Sequence, residues 1–134
     1  MPDSPPGPEG FRCEVSRESD TARVRPMGEL DLATVPVLVA ELAGLRDAGV
    51  YFVILDLSAL DFIDSSGLRC ILEYDAEARR NGCSIALVRG PDAVQRVFRI
   101  TDTEARLPFI RAERDGAPSA AWTTEGEPEV PSSA

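Results

Sequence analysis

The stretch VILDLSALDFIDSSGLRCIL, residues 53–72, contains the change of pattern that decides the fold. Its first residues belong to an apolar run, Val50–Leu55, of the kind that forms a strand covered on both faces. Further on, Leu68, Ile71 and Leu72 are spaced along one face of a helix. The stretch therefore predicts a buried strand, a short connection that contains D-S-S-G, and a helix.

Two strands and a helix are predicted on the N-terminal side of this stretch. Residues 11–15, and then Ala22 and Val24, show the alternation of an antiparallel hairpin on either side of a polar turn. Thr34 is expected to cap a helix that ends at Gly49. The apolar stripe of this helix consists of Val35, Leu38, Leu42 and Leu45.

The C-terminal side continues the alternation of helices and strands. The helix after D-S-S-G should stop at residues 81–82, with a strand at Cys83–Val88 and a third helix that starts at residues 90–92. The apolar stripe of the third helix consists of Val94, Val97 and Phe98. A last strand is predicted at Arg106–Ile110, where Pro108 indicates a sheet edge. The fold class is therefore α/β, a mixed sheet with an antiparallel N-terminal hairpin followed by alternating strand–helix units. The helices should pack against one side of the sheet.

The 134 residues are expected to form one folded domain at 10–112 between two disordered ends. Residues 1–9 contain four prolines, and residues 113–134 form an acidic, mostly disordered tail in which a short helix could cover residues 117–123. We find no signal-peptide pattern and no apolar run long enough to span a bilayer. A cytoplasmic protein without membrane association is the expectation.

Missing residue types exclude several kinds of chemistry. The chain has no histidine, and all fourteen of its basic residues are arginine, so it also has no lysine. Ser-His-Asp catalysis, histidine-ligated metals, Schiff-base chemistry and a P-loop are therefore excluded. The three cysteines are scattered and never spaced as C-x-x-C, which favours ordinary buried thiols. No catalytic residue, metal or cofactor is expected.

The net charge of −9 bears on the choice of partner. Much of it lies in the two ends of the chain, and no cluster of arginines is interleaved with aromatic residues. Nucleic-acid binding is therefore not expected, and the partner should be a protein.

Two acidic turns are predicted to lie side by side. Residues 28–31 (GELD) follow the second predicted strand, and residues 61–67 (DFIDSSG) follow the third. The loops beyond the carboxyl ends of neighbouring strands are where such sheets bind ligands and partners. Asp31 and Asp64 could hold a metal, but a third ligand is missing. Asp31 could equally be a turn residue ahead of the first helix.

The serines of D-S-S-G allow three interpretations. Asp64, Ser65 or Ser66 could cap the following helix, and at least one of them should do so. A nucleophile would need G-x-S-x-G and an activating base, and both are missing. A phosphate acceptor fits best, because a hydroxyl in the first helical turn lies near free N–H groups at the positive end of the dipole. A phosphate there would change the surface and leave the fold intact.

The chain resembles the STAS-domain family of anti-sigma factor antagonists over approximately residues 11–110. The motifs that carry the resemblance are G-E-L-D at 28–31 and D-S-S-G at 64–67, within the expected order of elements. The resemblance implies that Ser66 is phosphorylated by an anti-sigma factor that is also a serine kinase of the histidine-kinase-like ATPase type. The unphosphorylated antagonist binds this partner and releases a sigma factor, and a serine phosphatase resets the phosphorylated form. The partner-binding residues expected here are Asp31, Asp64, Ser65, Gly67 and Arg69.

Two alternatives remain beside this interpretation. The chain could be a STAS subunit of another assembly, such as a stressosome-like or lipid-transporter complex, with a partner that is not a kinase. It could also be an enzyme or a nucleotide-binding protein that uses the Asp31/Asp64 pocket, although the missing histidine and lysine count against this. Arg69 shares a helical face with Ser66, so it could also pair with the phosphate.

Overall fold

The computed structural model describes residues 10–110, which form a six-stranded sheet and three α-helices. The strands are β1 (Arg12–Glu18), β2 (Thr21–Leu30), β3 (Phe52–Asp56), β4 (Leu60–Ile63), β5 (Ser84–Val88) and β6 (Phe109–Ile110). The helices are α1 (Val35–Asp47), α2 (Ser65–Arg80) and α3 (Asp92–Ile100), and a short 3₁₀ helix covers Glu104–Arg106.

The sheet is mixed, as the sequence predicts. Its main order is β1-β2-β3-β5-β6, with β1 and β2 antiparallel and the other neighbours parallel. The long strand β2 has two partners on the same side: its first residues, 21–24, pair with β3, and its last residues, 28–30, pair with β4. The end of β2 and the end of β4 therefore lie next to each other.

The helices pack against one face of the sheet, which confirms the predicted architecture. Alternate residues of β3 divide between the two faces: Val53 and Leu55 belong to the main core, and Ile54 belongs to a small cluster on the opposite face. Each helix contributes its predicted stripe to the main core. The fully or almost fully buried members are Leu38 and Leu42 of α1, Ile71 of α2, and Val94 and Phe98 of α3.

Two predicted features of the strands are wrong. Strand β4, Leu60–Ile63, overlaps the stretch 61–67, for which the sequence predicted only a turn. The predicted last strand, Arg106–Ile110, is reduced to Phe109–Ile110, because the chain first makes a 3₁₀ turn and Pro108 has no N–H to donate to a neighbouring strand. The proline instead accepts a hydrogen bond at its carbonyl oxygen from the N–H of Leu87.

The predictions for the two ends of the chain concern residues that the structure does not describe. The proposed segment 1–9, the tail 113–134 and the helix at 117–123 all lie outside residues 10–110. Within the described part, none of the helices combines the length and the apolar character that crossing a membrane requires.

Candidate functional site

The ends of β2 and β4 bring the two acidic turns together, as the sequence predicts. The strands are parallel, and the N–H of Asp64 donates to the carbonyl oxygen of Leu30 at 3.2 Å, one residue before Asp31. The boundary of the first turn differs from the prediction, because Gly28–Leu30 belongs to β2 and only Asp31 lies in the turn. The resulting edge carries the beginnings of both α1 and α2.

Asp31 organises the turn that leads into α1. Its Oδ1 accepts hydrogen bonds from the N–H groups of Ala33 and Thr34, both at 3.1 Å. Thr34 occupies the N-cap position of α1, as predicted, but its side chain makes no capping hydrogen bond. Its hydroxyl instead accepts from the N–H of Asp31 at 2.9 Å and donates to the carbonyl oxygen of Glu29 at 2.7 Å. The observed contacts are those of a turn residue, which was one of the two interpretations open for Asp31.

Asp64 caps α2. Its Oδ1 accepts hydrogen bonds from the N–H of Ser66 at 2.9 Å and from the N–H of Gly67 at 3.0 Å. Its backbone is extended, at φ −112° and ψ −171°, as the residue before a helix requires. These two N–H groups are therefore already bonded, which corrects the expectation that they are free to meet a phosphate.

The two serines differ in exposure at the start of α2. Ser65 is exposed and Ser66 is half-buried. Within residues 10–110, the hydroxyl of Ser66 makes no hydrogen bond. The capping role of Asp64 thus leaves this hydroxyl available for chemistry or for binding.

Gly67 allows the start of α2 to lie directly on β2. A Cβ atom at this position would lie 2.7 Å from the carbonyl oxygen of Leu30 and 2.8 Å from Cγ1 of Ile63. Both distances are too short for a real contact, so any side chain would push the helix away from the sheet. The glycine of D-S-S-G therefore has a packing role.

A groove of about 450 Å³ runs between α1 and α2. Ser65, Ser66 and Arg69 line it near the start of α2. Farther along, Arg46 of α1 and Glu77 of α2 form an ion pair at 2.7 Å across it. Apolar side chains, among them Val35, Val39 and Leu42, line the groove together with the charged groups of Arg46, Arg69, Glu73 and Glu77.

Two exposed apolar side chains lie beside the start of α2 and were missed by the sequence interpretation. Leu32, in the turn after Asp31, is 74% exposed and lines the groove. Phe62 is 46% exposed and lies on β4, two residues before Asp64. The signal was available, because each is an apolar residue next to an aspartate: Phe62 lies within a predicted turn and Leu32 directly follows one. Exposed apolar groups that are bordered by polar ones are typical of protein-binding surfaces.

The described residues hold no metal-binding cluster, and two of their thiols are buried. Among residues 10–110, no group of three or more histidine, cysteine, aspartate or glutamate side chains is arranged to hold a metal. Burial, with a smaller contribution from Glu41, raises the pKa of the Cys13 thiol to about 12. Burial and Glu73 likewise raise the pKa of Cys70 to about 11. Both thiols stay protonated at neutral pH and are poor nucleophiles.

Comparison with known proteins gives consistent matches. A family model described as the STAS domain matches residues 13–116. The chain is 33% identical over 97 residues to BtrV of Bordetella bronchiseptica, a protein named as an anti-sigma factor antagonist, and the match covers 72% of this chain and 82% of BtrV. It is 28% identical over 91 residues to the anti-sigma-B factor antagonist of Staphylococcus epidermidis, covering 68% of this chain and 84% of that protein.

A solved structure shows the same fold. The anti-sigma factor antagonist SpoIIAA in its unphosphorylated form superimposes with a TM-score of 0.65 at 25% identity, covering 86% of this chain and 98% of SpoIIAA. The phosphorylated form of the Bacillus protein superimposes with a TM-score of 0.62 at 22% identity, covering 83% and 98%.

Proposed function

Because the chain belongs to the STAS-domain family of anti-sigma factor antagonists, we propose that it controls a sigma factor by reversible binding to an anti-sigma factor. The unphosphorylated chain binds an anti-sigma factor that is also a serine kinase, and the sigma factor is released. The kinase transfers the γ-phosphoryl group of ATP to Oγ of Ser66, and the phosphorylated chain dissociates. A serine phosphatase restores the binding form. The chain acts in the cytoplasm by binding and has no enzymatic activity of its own.

The observation that carries this proposal is the position of the Ser66 hydroxyl. It makes no hydrogen bond within residues 10–110 and lies in the first turn of α2, at the groove between α1 and α2. Asp64, and not the hydroxyl of Ser66, caps the helix, so modification of this hydroxyl removes no hydrogen bond among the described residues. The phosphorylated form of SpoIIAA supports the same chemistry by analogy.

The proposed partner surface surrounds this hydroxyl. It comprises Asp31, Asp64, Ser65, Gly67 and Arg69, together with the exposed side chains of Leu32 and Phe62. Apolar groups that are exposed in the free chain would supply binding energy when a partner covers them. The acidic groups would set the charge that the partner has to complement. The folded domain that carries this surface is proposed to span residues 10–112.

Phosphorylation of the purified full chain by candidate kinases tests the proposal. The chain is incubated with each kinase and ATP, and the product is analysed by intact mass and by peptide mapping. We expect one phosphate, located on Ser66, and none on the Ser66→Ala variant. The Ser65→Ala variant is the matched control for the site and should still accept one phosphate on Ser66. A phosphate on Ser65, or on a serine near the C-terminus such as Ser132, would contradict the assignment.

A further inference from the structure

Arg69 follows Ser66 by three residues on α2. Side chains with this spacing are neighbours on the surface of a helix, and both residues line the groove between α1 and α2. The guanidinium group of Arg69 is exposed and makes neither an ion pair nor a hydrogen bond within residues 10–110. Among the described residues it is therefore a cation without a partner, one turn away from the hydroxyl of Ser66.

The backbone around Ser66 leaves few other donors for an anion. The N–H groups of Ser66 and Gly67 donate to Asp64, and the N–H of Leu68 donates to the carbonyl oxygen of Asp64 at 2.9 Å. A phosphate on Ser66 would have to displace the carboxylate of Asp64 to reach the first two. Repulsion between the two anions instead favours positions on the far side of the Ser66 side chain, towards Arg69.

The other charged side chains along the groove cannot bind a phosphate on Ser66 in place of Arg69. Arg46 is paired with Glu77, which follows Ser66 by eleven residues and therefore lies about 16 Å farther along α2. Asp31 and Asp64 lie on the N-terminal side of Ser66, and Glu73 lies one turn beyond Arg69; all three carry the same sign as a phosphate. Among the residues that line the groove, Arg69 is the cation within reach of Ser66.

We infer that Arg69 binds the phosphate of phosphorylated Ser66 within the same chain and holds it over the adjacent end of the groove. The inference rests on the proposed phosphorylation of Ser66. A guanidinium group can donate two parallel hydrogen bonds to phosphate oxygens, a geometry that lysine cannot reproduce. Phosphorylation would then cover part of the groove and engage Arg69. The partner would lose access to that part of the groove and to the guanidinium group of Arg69 at the same time.

The pairing can be measured without any kinase. The full chain is produced with phosphoserine incorporated at position 66 during translation, and the second pKa of the phosphate is followed by phosphorus NMR. A partner cation stabilises the dianion, so we expect this pKa to be about half a unit lower in the wild type than in Arg69→Gln, or roughly a threefold change in proton affinity. Arg69→Lys should give an intermediate value.

Arg80→Gln is the matched control. It removes the same charge from the same helix, fourteen residues from Ser66 and thus about 21 Å away along α2. This variant should leave the pKa of the phosphate at the wild-type value. An Arg69→Gln variant with the wild-type pKa, or an equal shift in Arg80→Gln, would overturn the inference. A kinase that phosphorylates a different residue would overturn the proposed function, and the NMR result on position 66 would be unaffected.

Discussion

The carboxylate of Asp64 accepts a hydrogen bond from the backbone N–H of Ser66 at 2.9 Å. The two residues of the motif therefore have separate tasks, since the aspartate holds the end of α2 and the serine hydroxyl stays unbonded within the described residues. A change to the serine side chain can alter the surface while the helix end is preserved.

Replacement of Asp64 should separate its capping role from its charge. Asp64→Ala removes the acceptor of two N–H groups, and we expect a loss of about 1 kcal/mol in the free energy of unfolding. Asp64→Asn keeps an acceptor of similar shape and should remain within a few tenths of a kcal/mol of the wild type. Urea denaturation at neutral pH measures both variants. If the alanine variant is as stable as the asparagine variant, the hydrogen bonds from Ser66 and Gly67 do not hold the helix end.

Gly67→Ala should destabilise the fold, because the added methyl group would lie 2.7 Å from the carbonyl oxygen of Leu30. The start of α2 would have to move away from β2, at a cost of about 1–3 kcal/mol. Gly44→Ala, in α1, is the matched control, since nothing lies within 4 Å of its added Cβ. That variant should gain ~0.5–1 kcal/mol through better helix propensity. Equal effects of the two substitutions, measured by thermal or urea unfolding, would contradict the close packing at Gly67.

The helices and the main sheet could be predicted because their apolar residues repeat at regular spacings. The stripe with Leu38 and Leu42 and the pair Val94 and Phe98 are buried as expected. Strand β4 could not be predicted in this way. Two consecutive exposed residues separate its buried ends, and its pairing with β2 contains a register shift between Gly28 and Glu29. This irregularity removes the alternation by which a strand is detected.

At the candidate site, the sequence predicted which turns meet but not which atoms bond. Asp64, Ser65 and Ser66 can all accept from the first turn of a helix, and only the backbone conformation selects Asp64. The groove, with Arg46 paired to Glu77, depends on how α1 packs against α2. Contacts between residues that are thirty-one positions apart leave no local pattern in the sequence.

The stability of the fold should depend on pH through Asp56, which is 1% exposed. Burial alone would raise the pKa of this carboxyl, but hydrogen bonds from Ser58 and the ion pair with Arg23 outweigh it and lower the pKa. Because the pKa of Asp56 is lower in the folded state, its ionised carboxylate stabilises the protein at pH values above the unfolded-state pKa of about 3.9. This contribution is lost as the pH falls through the pKa of the folded state.

Asp56→Asn should therefore cost about 2–3 kcal/mol near neutral pH, and the difference from the wild type should narrow below about pH 4. Asp92→Asn is the control, because the side chain of Asp92 is 93% exposed in its pair with Arg99 and should contribute little. Urea denaturation from pH 3 to pH 8 measures both variants. If the difference in unfolding free energy between the wild type and Asp56→Asn is the same at pH 3 and pH 7, the charge of Asp56 is not what stabilises the fold.

The last prediction concerns the switch at Ser66 and rests on charge. Phosphorylation adds about −1.5 to −2 charges at pH 7. At ~6 Å from an acidic group of the bound partner, two charges against one cost roughly 1.4 kcal/mol in a water-like dielectric and about 5 kcal/mol at an effective dielectric of 20, and this repulsion exists only in the complex. A protein boundary lies between these limits, so an effect on the order of 2–3 kcal/mol, or roughly a hundredfold in affinity, is expected.

Titration calorimetry with the anti-sigma partner measures this effect. Ser66→Ala should bind about as well as the unphosphorylated wild type and should not respond to the kinase. Ser66→Asp should bind more weakly than the wild type but more tightly than the phosphorylated chain, because it adds a single charge. Ser16→Asp is the charge-matched control and should leave the affinity unchanged. Ser16 lies on β1 opposite Arg23, and Arg23 is seven residues along β2, about 23 Å, from Leu30 beside the site. Equal affinities of the phosphorylated and unphosphorylated wild type would rule out switching by phosphorylation, because the added charge would then cost nothing at the interface.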